Sequence, residues 1–245
     1  MDRASDYNVS GSLLGLGENI LLELLSQMEH PQDVQQFLIL SKKTFKLILH
    51  PRYARVIQSI IQITQIFIIK ESKQGIAEGN KFFHSDKNEC CTIAIDPIIS
   101  DGIVRIEIIL ENNGEFAYCM GIADASCSFA AGKKPWDDGN REMTIRYYWD
   151  GEISHITWGP QNQEYSDGQK VGIEVDMTTV PRRVTFFVDD IEQPYYVIGI
   201  PSEIRFWAYI SNKSSSFTVT KFERLIKSSA KGVEGSKALE WGKKW

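Results

Sequence analysis

Apolar residues recur along the first part of the chain at spacings of three and four. Leu13, Leu14, Leu16, Ile20, Leu21, Leu24, Leu25 and Met28 fill one broad face of a helix. His30-Pro31 interrupts that pattern, because proline keeps the residue before it out of the helical conformation. Asp33 then contributes to the start of a second helix, where its carboxylate complements the positive helix end. This helix is expected to bury Val34, Phe37, Leu38, Phe45 and Ile48 and to stop before Pro51. A third apolar stretch, residues 56–69, is rich in isoleucine and passes from helix into strand. At about fourteen residues, broken by glutamines, it is too short to cross a bilayer.

Around Lys70 the pattern changes. Charged residues with Gly75 and Gly79 mark a boundary, and residues 70–85 read either as a linker or as a first strand. Beyond it, short apolar or alternating runs recur at residues 92–95, 104–110, 116–122, 145–148, 171–175, 184–188, 204–210 and 217–222. Turn formers separate them: Asn112-Asn113-Gly114, Asp150-Gly151, Asp167-Gly168 and Asp189-Asp190. Short strands at such intervals predict an antiparallel β-sandwich. No helical pattern lies between the runs, as a parallel α/β fold would require. The predicted fold class is mainly β, with a small N-terminal helical region at residues 1–70, a sandwich at 71–226 and a flexible basic tail at 227–245. Residues 1–10 read as polar and loose. In the tail, Lys227, Lys231, Lys237, Lys243 and Lys244 outnumber Glu234 and Glu240. Trp241 and Trp245 near its end are candidate anchors, on the body of the domain or on a partner.

Composition then narrows the function classes. The 245 residues, 42% hydrophobic and 24% charged, suit one large or two small packed domains. A net charge of -5, with no cluster of Lys and Arg before the last twenty residues or so, argues against a nucleic-acid partner. The four cysteines, Cys90, Cys91, Cys119 and Cys127, form no CxxC pair, and the four histidines are scattered. No metal or other cofactor is implied, and reduced thiols fit a cytoplasmic protein. The glycosylation-like triplets at Asn8 and Asn212 therefore carry little weight. The first thirty residues lack a basic segment followed by an apolar one, so neither a signal peptide nor a membrane partner is expected.

The strand region carries an ordered set of motifs. These are EFAYCMGIADA (residues 115–125), YYWDG (147–151), YSDGQKVGIEVDM (165–177), VTFFVDD (184–190), then IRFWAYI and SSFTVTKFERL. Together they resemble the SPRY domain across residues 85–225. Gly168 and Gly172 bracket an apolar step suited to a tight strand entry. Asp176 ends that strand, where its carboxylate can bond loop amides. Phe186 and Phe187 point to opposite faces. Two landmarks differ: the family's Gly-Asp is Gly168-Gln169, and its Asn-Gly hairpin is Asp189-Asp190, which is less suited to positive φ. The resemblance implies a domain that binds short peptides or folded partners through loops on one face.

Residues 14–51, LGLGENILLELLSQMEHPQDVQQFLILSKKTFKLILHP, are similar to an F-box, with Leu16-Gly17 at its opening Leu-Pro and Ser41 at its Cys. That resemblance implies docking of residues 12–55 on the small adaptor of a cullin-type ubiquitin ligase. A helical extension packed on the sandwich is the other reading.

Asp137, Asp138 and Glu142 beside Trp136 have the composition of a glycosidase carboxylate pair on an aromatic platform, but read more simply as a solvated loop. His155 near Trp158 offers a base without a nucleophile motif, and Cys119 within an apolar strand reads as packing. No phosphate-cradling glycine loop occurs. The long segments 124–144 and 151–167 suit recognition better, with Phe129, Trp136, Trp158, Tyr165 and Arg141 among small polar residues. The expected partner-binding set is Trp136, Arg141, Tyr148, Asp150, Trp158 and Tyr165. Trp207 and Tyr209 read as core, and Trp158 reads equally as a plug of the sandwich end. The expectation is a non-enzymatic protein-protein interaction module with a protein or peptide ligand, extended by the F-box resemblance to a ligase substrate receptor. The alternatives are a lectin-like or carbohydrate-active sandwich, with residues 137–140 as its calcium or sugar site, and a scaffold assembled through the tail tryptophans.

Overall fold

In the computed structural model, which describes residues 12–114 and 117–245, the N-terminal pattern forms four short helices. They are α1 (Glu18–Ser26), α2 (Pro31–Ile39), α3 (Lys42–Lys46) and α4 (Tyr53–Ile61). The loose segment expected at residues 1–10, and the Glu115-Phe116 start of one strand motif, lie outside the described residues. Leu21, Leu22 and Leu25 of α1 join Val34, Leu38, Leu47, Val56 and Ile60 in one core. The expected stripe on α1 is too broad: Ile20 and Leu24 are exposed, because this nine-residue helix meets its neighbours only along the Leu21-Leu22-Leu25 side. The long second helix is broken at Ser41. Its hydroxyl accepts from the Thr44 N–H at 3.1 Å while the Ser41 N–H donates to Thr44 Oγ1 at 3.0 Å, a reciprocal cap that restarts the helix. Leu47 is buried as a result, and Phe45 and Ile48 are turned outward. Arg224–Ile226 belong to this helical unit, where Gln32 Nε2 donates to the Leu225 carbonyl at 2.8 Å.

The second unit, Thr64–Glu223 with Lys227–Trp245, is a two-sheet sandwich. With strands numbered in chain order, one sheet runs β1 (Ile66–Ile68), β4 (Cys91–Ile99), β14 (Ile204–Ile210), β6 (Cys119–Asp124), β7 (Thr144–Tyr148), β8 (Glu152–Ser154) and β9 (Trp158–Gln161). The other runs β16 (Lys237–Glu240), β13 (Tyr195–Ile198), β11 (Arg183–Val188), β10 (Lys170–Asp176), β5 (Ile103–Glu111), β15 (Ser216–Leu225), β3 (Lys81–His84) and β2 (Gly75–Glu78). A two-residue strand, β12 (Ile191–Glu192), also pairs with β11. Seven of the eight predicted runs fall within strands. Of the run at 116–122, residues 119–122 lie in β6, residues 117–118 precede it and Phe116 lies outside the described residues. Residues 70–85 contribute β2 and β3. Among the described pairings, β13 with β16 is parallel and the rest are antiparallel.

Alternation builds the interior. Ile173 of β10 lies between Phe186 of β11 and Ile106 of β5 in register, so one face of each strand meets the other sheet. Aromatic rings bridge the sheets: Tyr147 to Phe186 at 5.2 Å, Phe206 to Phe222 at 5.7 Å and Phe67 to Phe217 at 5.4 Å. Each such buried side chain contributes about 2 kcal/mol or more. Phe187, on the opposite face from Phe186, is buried under the Arg105 guanidinium at 4.1 Å. Asp176 Oδ1 accepts from the Thr178 amide at 2.9 Å, as its position at the strand end suggested.

The flexible tail expected at residues 227–245 is corrected. Ser228 and Ser229 bond the buried Glu174 carboxylate, and the Lys231 and Gly232 amides donate to Glu192. Lys237–Glu240 then form β16 on the β13 edge. The lysines that made the segment read as loose project from a strap whose backbone is hydrogen-bonded. No helix among the described residues is long and apolar enough to cross a membrane.

Candidate functional site

The outer face of the seven-stranded sheet carries Trp207 and Tyr209 from β14, Cys119 and Ala123 from β6, and Tyr148 from β7. Residues 125–143, joining β6 to β7, lie over that face and press Cys127 and Phe129 into it. Phe129 packs on Trp207 at 5.7 Å. Asn140 holds the loop closed by donating to the Ser128 carbonyl at 2.9 Å, and Asp137 Oδ2 accepts from the Lys134 amide at 2.9 Å. Trp136 is thereby set between Tyr148 at 6.0 Å and Tyr209 at 6.1 Å, half-buried, with the Lys134 ammonium 5.4 Å from its ring.

A second wall rises from the sheet edge. Trp158 opens β9 opposite Ser154 of β8, where a register shift bends the pair. Its ring is 5.4 Å from Tyr148 and 64% exposed. Between the two tryptophans lies a cavity of about 80 Å³, with Tyr148 and Ser154 in its lining and Arg141 and Arg146 beside them. Arg146 is only 3% exposed. Its Nε donates to Ser154 Oγ at 2.8 Å, and its Nη1 to Thr144 Oγ1 at 2.6 Å and to the Arg141 carbonyl at 3.2 Å. Its Nη2 donates to the His155 carbonyl. Burial lowers the Arg146 pKa and raises that of the Tyr148 phenol, the nearby Arg146 charge opposing the latter shift.

Of the expected partner-binding residues, Trp136, Arg141, Tyr148 and Trp158 line one cavity. Asp150 stands apart in the β7–β8 turn, where its carboxylate accepts from the Glu152 amide at 3.2 Å. Tyr165 is corrected: it is 3% exposed, donates to the Tyr147 carbonyl at 2.9 Å, and packs on Tyr147 and Tyr118. A hydroxyl with an interior acceptor makes tyrosine a core residue here. Phe129, placed with the recognition loops, is likewise buried, whereas Trp207 and Tyr209 are core as read. Trp158 does not plug the sandwich. Arg146 and Ser154 were not anticipated, although an arginine inside the apolar run of residues 145–148 was a visible signal.

The candidate catalytic groups are otherwise engaged. His155 is fully buried, its Nδ1 donating to the Thr144 carbonyl at 2.9 Å and its Nε2 accepting from the Gly242 N–H at 3.0 Å. Trp241 and Trp245 cover its ring at 4.5 and 5.5 Å, so the tail tryptophans anchor on the body of this unit. Burial pushes the Cys91 and Cys127 thiols up to about 12 and raises Cys119 further, which suits packing rather than nucleophilic attack. Asp137 is committed to its own loop, and no three His, Cys, Asp or Glu among the described residues gather as a metal site.

Comparison with protein-family models gives no match, and comparison with curated proteins gives none. Among solved structures the fold is similar to SPRY domains. The SPRY domain of human HERC1 aligns at 11% identity and TM-score 0.46, covering 67% of this chain and 97% of that one. The TRIM65 PSpry domain aligns at 8% identity and TM-score 0.48, covering 64% and 90%. A carbohydrate binding module, CBM66 from Bacillus subtilis, aligns at 10% identity and TM-score 0.39, covering 67% and 97%.

Proposed function

We propose that this chain is a protein-interaction module that grips a peptide or protein partner at the cavity between Trp136, Tyr148 and Trp158. The observation that carries the reading is Trp158: a tryptophan 64% exposed, facing a half-buried tryptophan across a preformed cavity, on strands rooted in a rigid core. Leaving so large an apolar ring in water has a cost that a partner removes. Aromatic and arginine side chains on a fixed frame are also the types that dominate interface energies.

The helical unit is proposed to dock the small adaptor of a cullin-type ligase, which would make the chain a substrate receptor. Its support is the F-box resemblance together with an uncovered apolar surface. Leu40, Phe45 and Leu49 are 66%, 58% and 85% exposed, beside Lys42 and Lys46.

One affinity capture tests both parts, using full-length wild type, a Trp136→Ala/Trp158→Ala variant and a Leu40→Asp/Leu49→Asp variant, read by mass spectrometry. The tryptophan variant is expected to lose its bound partner at least tenfold, while a ligase adaptor and cullin disappear only from the leucine variant. Identical recovery from all three sinks the reading. Elution of the partner by a soluble glycan would favour the sugar-binding alternative.

A further inference from the structure

We infer that the cavity is an acid-reading subsite, taking the carboxylate of an Asp or Glu side chain presented by the partner. The inference deepens the partner-binding reading and rests on it. Its starting point is the charge at the cavity, not its aromatic walls. Two arginines in the sandwich are fully buried, Arg105 and Arg146. Arg105 is flanked by carboxylates, with Nε 3.0 Å from Glu107 and Nη2 2.8 Å from Asp190. Arg146 is bonded only to neutral oxygens, those of Ser154, Thr144, Arg141 and His155 and the phenol of Tyr148. Among the described residues no carboxylate lies within ion-pair distance of it. A buried cation with hydrogen bonds but no counter-charge is costly in isolation, and an incoming anion relieves that cost.

The second cation strengthens the case. Arg141 lines the same cavity with an exposed side chain, and its charge bears on Arg146. Two guanidiniums therefore face one recess with no anion of the protein between them, a field that selects negative charge. Donor arithmetic favours a carboxylate over a phosphate. A guanidinium has five N–H groups; four of those on Arg146 go to oxygens of Ser154, Thr144, Arg141 and His155, and the Tyr148 phenol bonds it as well. The donors left for a ligand are those of the exposed Arg141 fork, beside the buried Arg146 charge. That suits two carboxylate oxygens better than the three of a phosphate dianion. The cavity of about 80 Å³ admits a carboxylate head and little more, and the rings of Trp136 and Trp158 are left to cover the aliphatic residues flanking it.

The test is an NMR titration of the full chain with three blocked amino acids: N-acetyl-aspartate amide, N-acetyl-asparagine amide and N-acetyl-phosphoserine amide. The indole Nε–H signals of Trp136 and Trp158 report binding. The aspartate probe is expected to shift both signals saturably and to bind at least tenfold more tightly than its asparagine counterpart. Arg141→Gln, an exposed substitution that leaves the fold alone, should remove most of that preference. Equal binding of the aspartate and asparagine probes, or no shift with either, overturns the inference. Tighter binding of the phosphoserine probe overturns the choice of carboxylate. If these outcomes occur while the tryptophan variant still loses its partner in the capture experiment, only the acid-reading inference falls. If the capture is also unaffected, the partner-binding reading falls with it.

Discussion

Asp189 and Asp190 both hold left-handed backbone, at φ of +48° and +66°, in a turn where glycine or asparagine would be the easier choice. Their side chains offset that strain. Asp189 accepts from the Lys170 amide at 3.0 Å and from Gln169 Nε2 at 2.8 Å, while Asp190 meets Arg105 and Lys170 at 2.8 and 2.6 Å. Gln169, the other departure from the SPRY pattern, also accepts from the Ser166 amide and so ties two turns together. The two departures are thus one compensating arrangement. The hydrogen bond from Lys170 holds the Asp190 carboxyl below its ordinary value of 3.8. Asp190→Asn is expected to cost about 1 kcal/mol at pH 7, measured by urea denaturation, because the buried Arg105 loses one charged partner. A depressed carboxyl gives stability above its unfolded value and loses it as the pH falls through the folded one. The gap between the two proteins should therefore narrow in acid. At this scale the sequence separates Trp158 from Tyr165 poorly. Both are aromatics in polar segments, and what buries Tyr165 is a carbonyl on β7 that no local pattern reveals.

Elements were legible where a face is repeated often enough to leave a period. The eight long strands show one; β8, β9, β12 and β13 have two to four residues each, too few to carry one. The break between α2 and α3 was missed because Ser41 and Thr44 act as a pair, whereas apolar spacing alone continues to Pro51. β16 is the instructive case. Ser-Gly-Lys composition reads as loose chain, yet the segment pairs with β13 in parallel and covers an edge that would otherwise be open. Removing residues 236–245 is expected to destabilise the chain by about 2 kcal/mol, from lost strand bonds and half-buried tryptophans. That corresponds to a Tm about 4–8 °C lower by calorimetry. The exposed β13 edge should also promote self-association, visible by light scattering. A truncated chain that melts like wild type and stays monodisperse would show that the strap is not held in solution.

On the scale of the whole molecule, the strap connects the chain's end to the recognition cavity. Thr157, in the cavity lining, donates to the Trp245 carbonyl at 2.8 Å and accepts from the Trp245 amide at 3.0 Å. Its neighbour His155 accepts the Gly242 N–H under the two tail tryptophans. That bond requires His155 neutral with its proton on Nδ1, since a proton on Nε2 would face the Gly242 N–H. Burial is the main cause that lowers the His155 pKa. The Thr144 carbonyl and Glu142 oppose the shift, and the Arg146 charge adds to it. The native state therefore holds fewer protons than the unfolded chain as the pH falls below about 6.5. The stability from neutral His155 is complete above that value and is lost on acidification towards the depressed folded value, with a slope of at most about 1.4 kcal/mol per pH unit. His84 shifts in the same direction and adds to the global slope, so the tail itself must be followed. Hydrogen exchange at the Gly242 and Trp245 amides should accelerate between pH 7 and pH 5 in wild type. In His155→Gln, whose amide can donate and accept at the same two positions without titrating, it should stay flat once corrected for intrinsic rates. Because Thr157 is tied to the same strap, partner capture should weaken over that pH range in wild type and hold in the variant. Parallel loss in both proteins would place the acid sensitivity outside His155 and leave the tail as a plain brace.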